Sequence, residues 1–333
     1  MKWLLLLGVV GCSSPDPFEP RVLPFGPFDV GPGEEVTTQC VQITLHNEQD
    51  LFINSIELAT GPGFHHSNWF YIPETTFRGE DGTYTCTDRD FSEPVAALFG
   101  GVLFAQSTQH ERELQQFPEG VVIRVPARSK LVTQIHLLNS SDQVQHLEPA
   151  ITLTPIADAS VTTTLSAISF QNHALALPPN MQSKFTVECD LAPHHESMLG
   201  GPPDFKIYYG LGHYHELGTG LAIEAITASG DSTPVFSTEN RVGDAMGGPI
   251  DPVFEMTGFS RLRFSCEYFN PRASTVRWGN GDQEMCVFLA FSDSPLNWGG
   301  GVNTEQEPEN PIQVGNQMQF TNSCTVFASP ATR

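Results

Sequence analysis

The sequence predicts an all-β protein built as two tandem β-sandwich (jelly-roll-like) domains, and three observations carry that expectation. Only 16% of the 333 residues are charged, while 29 Gly and 26 Pro punctuate the chain. Together with many Thr, Val and Phe, this composition suits short strands joined by turns. Apolar and polar residues alternate over short runs, and no extended window holds a helical period.

Residues 35–165 form the first expected sandwich. Val41-Gln42-Ile43-Thr44-Leu45 alternates as a half-buried strand does, and Val121–Val125 and Leu131–Leu138 are further strands. Pro118-Glu119-Gly120 and Pro126–Ser129 break the chain between them. Residues 166–333 form the second, with strands expected at Phe185–Val187, Phe205–His215, Gly220–Thr227, Ser260–Tyr268 and Met285–Phe291. Ala157–Thr162 is the expected junction.

The N-terminus reads as an export signal. Lys2 precedes an apolar run, Trp3–Val10, too short to span a bilayer as a helix. Val9-Val10-Gly11-Cys12 resembles the lipobox of bacterial lipoproteins. Residues 1–11 are then a signal peptide, Cys12 is the lipidated N-terminus of the mature chain, and residues 12–34, rich in proline from Ser13 to Pro32, are a tether. Ser13 after the cysteine favours the outer membrane, facing the periplasm or the cell surface. Membrane contact is expected only through this anchor. The remaining cysteines, Cys40, Cys86, Cys189, Cys266, Cys286 and Cys324, are even in number, as three disulfides of an exported protein require. Spacing alone does not choose their pairing. None forms a CxxC pair, which argues against a thiolate zinc site. The net charge of −22 excludes a nucleic-acid partner.

Chemistry is suggested by the histidines. His213-Tyr214-His215 lies in a strand-like run, where residues two apart share a face and two imidazoles make half a metal site. His65-His66 is a second pair. Adjacent strand residues face opposite ways, so both reach one metal only at a bulge or strand end, which Gly61-Pro62-Gly63 would permit. His194-His195, set among prolines, reads as a solvated loop. Gln134 and His136 share a strand face. Met285 offers a thioether, a soft ligand that suits Cu(I) over zinc.

In order and spacing these residues resemble the copper type II, ascorbate-dependent monooxygenases, the peptidylglycine α-hydroxylating and dopamine β-monooxygenases, over roughly residues 35–330. The resemblance implies one copper on His65, His66 and His136 and a second on His213, His215 and Met285, two per chain and one per domain. Gln134 matches a glutamine of the peptidylglycine branch. The second copper would bind O2 and attack a C–H bond of a substrate. The first would deliver an electron, with ascorbate or a similar reductant reloading both. The resemblance also implies the disulfides Cys40–Cys86, Cys189–Cys324 and Cys266–Cys286. The chain departs from the peptidylglycine branch at Leu211, where that branch has a carboxylate-binding arginine, and at Val287 and Leu289, where it has Asn and Tyr. A peptidylglycine substrate is therefore not expected, and the small molecule or peptide that replaces it is not specified by sequence. Two other functions fit the chain: a copper-binding lipoprotein without turnover, as carrier or sensor, and a surface binding module with incidental histidines.

Overall fold

The computed structural model describes residues 18–303 and 305–331. The signal peptide and the lipidation site at Cys12 lie outside the described residues. The architecture is all-β, two sandwiches in tandem, each of two sheets whose inward faces meet in an apolar core.

In the first sandwich one sheet runs in the order Gly82–Thr85, Glu35–Thr44, Ser129–Leu138, Phe64–Pro73, Gly101–Ala105. The other includes Ala150–Ile156, Leu51–Ala59 and Val121–Val125. Ile53, Ile56 and Leu58 from the second meet Trp69, Leu131 and Ile135 from the first, all fully buried. In the second sandwich, Lys206–His213, Val287–Ser292 and Ser166–Asn172 are successive strands of one six-stranded sheet. Gly218–Thr227, Phe259–Asn270 and Met181–Asp190 are successive strands of the other. Thr163–Thr164 still pairs with Val121–Val122 of the first sandwich, and Ser166–Asn172 is a strand of the second.

The two sandwiches share apolar packing. Tyr209, Leu211, Leu289 and Phe291 of the second belong to the core of the first. The Phe117 ring lies 5.4 Å from Phe291 and 6.0 Å from Tyr209, edge-on in both cases.

All three cysteine pairs that the family resemblance implied are present: Cys40–Cys86, Cys189–Cys324 and Cys266–Cys286. Such bonds belong to an oxidising compartment, so this is an exported, extracellular or periplasmic protein. Among the described residues no helix is long and apolar enough to cross a membrane.

Three expectations are corrected. The tether does not extend to residue 34. Arg21–Pro24 pairs with Ala150–Leu153, Phe28–Val30 pairs with Gln145–Leu147, and Phe25, Phe28 and Val30 are buried. Proline does not forbid a short edge strand, and three large apolar side chains in this stretch supply the burial that holds it. His194-His195 is not a loop but part of the helix Ala192–Leu199, which takes Pro193 in its first turn, where no N–H is needed. The strands around the second histidine pair are shorter than expected. One ends at His213 and the other begins at Val287, leaving His215 and Met285 outside the ladders.

Candidate metal centre

The first triad is built on a bulge. His136 pairs with His66, but the next residue, Leu137, pairs with Phe64, so His65 is the extra residue. The insertion turns His65 and His66, which regular pleating would separate, toward His136. Gly63, with φ near +93°, admits the turn that leads in, and its carbonyl accepts from Leu138 N. Ring centroids stand 4.3 Å apart for His65–His136, 5.1 Å for His65–His66 and 5.4 Å for His66–His136. One nitrogen from each of the three lies within 4.8 Å of the others, close enough to share an ion.

The second pair is held by a different device. The buried Glu284 carboxylate accepts from the backbone N–H of His215 at 2.9 Å and of Leu217 at 2.7 Å, replacing the ladder bonds that the strand no longer makes. The His213 and His215 rings remain neighbours at 5.2 Å. Met285 follows Glu284 directly. Tyr268 Oη donates to its carbonyl at 2.6 Å, and the Cys266–Cys286 bond anchors the next residue. Met285 lines the same cavity as His66, His136 and His213.

The two half-sites are not kept apart in their separate domains. His65 stands 5.7 Å from His215 and His66 5.3 Å from His213, centroid to centroid, so five imidazoles from both sandwiches form one cluster.

Hydrogen bonds fix which nitrogens face that cluster. His213 Nδ1 lies 2.8 Å from the carbonyl oxygen of Ser107, and His215 Nδ1 lies 2.8 Å from that of Gln283. A carbonyl only accepts, so each Nδ1 carries the proton and each Nε2 carries the lone pair. His136 Nε2 likewise donates to Glu35 Oε1 at 2.8 Å, which leaves Nδ1 as its lone-pair nitrogen. Four buried nitrogens of the cluster, His65 Nδ1, His66 Nε2, His213 Nε2 and His215 Nε2, have no hydrogen-bond partner. Buried polar atoms are nearly always paired, so four orphans converging in one place offer their lone pairs to a ligand such as a metal ion.

Electrostatics agree. Burial, then the neighbouring imidazoles, pulls His65 down to about 2 and His66 well below its usual range. Burial, reinforced by His215 and opposed by the bond to Ser107, pulls His213 down to about 3, and burial lowers His215 as well. Near neutral pH these imidazoles are uncharged, the form that binds metal.

Of the other expected residues, Gln134 lines the cavity opposite Asn68, with Nε2 donating to the Thr37 carbonyl at 2.5 Å. His195 lies apart from the cluster: Nδ1 bonds the Gly201 carbonyl at 2.7 Å and the ring stacks on Trp298. Sequence reasoning missed Glu35, Ser107, Glu113, Gln283 and Glu284. Glu284 was findable as a carboxylate adjoining Met285. Ser107 acts through its backbone and carries no side-chain signal.

No protein-family model matches the chain, and no curated protein is similar to it. Among solved structures, the major capsid protein P2 from bacteriophage PM2 is similar at 7% identity, over 83% of this chain and 97% of that one, with a TM-score of 0.31. PNGase F, a glycosylasparaginase from Flavobacterium meningosepticum, is similar at 9% identity, over 86% and 98%, with a TM-score of 0.30. Likenesses this distant say nothing about the site.

Proposed function

We propose that the chain is a copper-dependent monooxygenase that hydroxylates a C–H bond of its substrate with O2 and a small reductant such as ascorbate. One observation carries the reading: five imidazoles converge, four of them buried and His66 half-buried, and four with a buried, unpartnered nitrogen, beside a cavity that Met285 also lines. Imidazole suits copper and zinc alike, so it is the thioether of Met285, a soft ligand that suits Cu(I), that favours copper.

When bound, copper supplies one-electron chemistry and a place for O2. The chain's own contributions follow from the geometry. His65, His66 and His136 would hold one ion, and His213, His215 and Met285 would hold the second, giving two per chain. Glu35 and the Ser107 and Gln283 carbonyls lock the imidazole tautomers. Burial keeps the lone pairs free of protons, so metal need not displace them near neutral pH. Gln134 and Asn68, paired across adjacent strands beside His136 and His66, present amides to a bound substrate.

The second reading is a copper-binding lipoprotein, carrier or sensor, that lacks turnover. Leu211, Val287 and Leu289 favour it, because the substrate-binding residues expected there are absent. Both readings include a lipid anchor on Cys12. Cys12→Ala should release the protein from membranes or trap its precursor.

Elemental analysis of metal-free protein after reconstitution should find two coppers per chain, and ascorbate should drive O2 uptake. Zinc, or fewer than two coppers, would overturn the reading, while two coppers without uptake would select the carrier. Met285→Ile keeps similar bulk, so the fold should survive. Cu(II) at His65, His66 and His136 should remain, whereas Cu(I) affinity at the second half-site and O2 uptake should both fall. Wild-type values for both would reduce Met285 to packing.

A further inference from the structure

The cavity beside the imidazole cluster has a volume of about 690 Å³ and takes its walls from both sandwiches. That is mid-range for a site enclosing a drug-sized organic molecule. Among the described residues its lining contains no Lys or Arg, so a carboxylate or phosphate finds no fixed counter-charge from them. Leu211, Val287 and Leu289 line it together with His213 and Met285, Leu211 pairing with Leu289 and His213 with Val287 across adjacent strands, and Trp278 and Trp298 add large apolar side chains. At the rim, Leu98 of the first sandwich and Phe327 of the second are 64% and 61% exposed. Neither belongs to the buried core, and large apolar side chains left in water beside a cavity suit a binding surface.

The polar lining is mostly neutral. Asn68, Gln134, Gln171 and Asn297 are amides. The one carboxyl, Glu93, receives Asn68 Nδ2 at 3.4 Å, and burial pushes it up to about 7, so it is no firm anionic anchor for a cation. The net charge of −22 repels anions from the whole molecule.

We propose that this cavity binds a neutral, largely apolar chain molecule, of the fatty-alcohol or fatty-amide class, as the substrate of the site. The inference rests on the metal reading only for what happens to the molecule, not for its binding.

The test uses the full chain, metal-free and copper-loaded, titrated calorimetrically with hexanol, octanol and decanol and followed by tryptophan fluorescence. Affinity should rise about fourfold per added methylene, the transfer free energy of a buried CH₂ expressed as a ratio. Octanoate and octylammonium should bind at least about tenfold more weakly than octanol. Val287→Asp in the wall and Leu98→Asp at the rim should each weaken octanol by roughly tenfold. Leu98 is exposed, so its variant should melt with the wild type and keep the test meaningful if Val287→Asp misfolds. The proposal is overturned by affinity independent of chain length, by octanoate equal to octanol, or by tighter octylammonium, which would make Glu93 an anionic selector. Chain-length-dependent binding without copper uptake would retain the cavity and remove the copper reading. Two coppers without alcohol binding would do the reverse.

Discussion

His213, in the second sandwich, is oriented by Ser107, in the first: its Nδ1 donates to the Ser107 carbonyl across the domain boundary at 2.8 Å. The loop carrying Ser107 is docked further by Met246 N donating to Ser107 Oγ and Gly243 N to Thr108 Oγ1. The lone-pair nitrogen of His213 in one domain is therefore aimed by the backbone of the other.

Glu113 should govern that joint. It is buried and accepts from Ser107 N at 3.0 Å and from Ser107 Oγ at 2.5 Å. Glu113→Ala leaves these donors unsatisfied, at a cost of about 1–3 kcal/mol. Copper affinity at His213 and His215 should fall more than at His65, His66 and His136. Thermal melts and Cu(II) electron paramagnetic resonance would show it, and equal loss at both half-sites would refute a local role.

Acid should destabilise the metal-free protein in a defined window. His65 and His213 titrate near 2 and 3 when folded but near 6.5 when unfolded, so between those values the unfolded chain binds more protons and stability rises with pH. Glu113 and Glu284, raised from 4.5 to about 7, act oppositely between those two values. The fall should thus be steepest below about 4.5, where the raised carboxyls, Glu93 included, no longer oppose the imidazoles and the lowered Asp81 and Glu188 add to them. Denaturant titrations from pH 3 to 7.5 should show a shallower slope for His65→Asn/His213→Asn than for wild type. An unchanged slope would rule these imidazoles out as its source.

Breaking Cys266–Cys286 should affect chemistry as well as stability. The bond closes a separation of 20 residues, for which loop entropy suggests about 3 kcal/mol. It also fixes the residue after Met285. The Cys266→Ala/Cys286→Ala protein should melt lower and bind Cu(I) more weakly at the second half-site. Lower melting with unaltered Cu(I) affinity would show that Met285 is positioned by Tyr268 and Glu284 alone.

Phe25 distinguishes a tether from a domain strand. It is 5% exposed, and its ring lies 4.8 Å from the fully buried Trp69. Phe25→Ala should cost about 3–5 kcal/mol. A residue in a free linker would cost nothing, and a chemical melt of the variant decides between them.

Much of this molecule was legible one strand at a time. Alternation at Val41–Leu45 and the apolar run Val121–Val125 marked strands because side-chain direction repeats every second residue, a local property. The Gly61-Pro62-Gly63 signal beside His65-His66 allowed either a bulge or a strand end, and the register shift makes it a bulge. Family resemblance, not spacing, supplied the cysteine pairing. The sequence by itself determined the all-β class, the positions of many strands and turns, the even set of cysteines and the identity of the candidate ligands. Only the tertiary structure decided that Phe25 is core, that His195 stays away from the cluster, and that the two half-sites meet as one. Those outcomes depend on contacts between segments far apart in the chain, such as Glu35 with His136 and Ser107 with His213. No local pattern encodes them, because packing of one sandwich against the other sets which distant atoms come within reach.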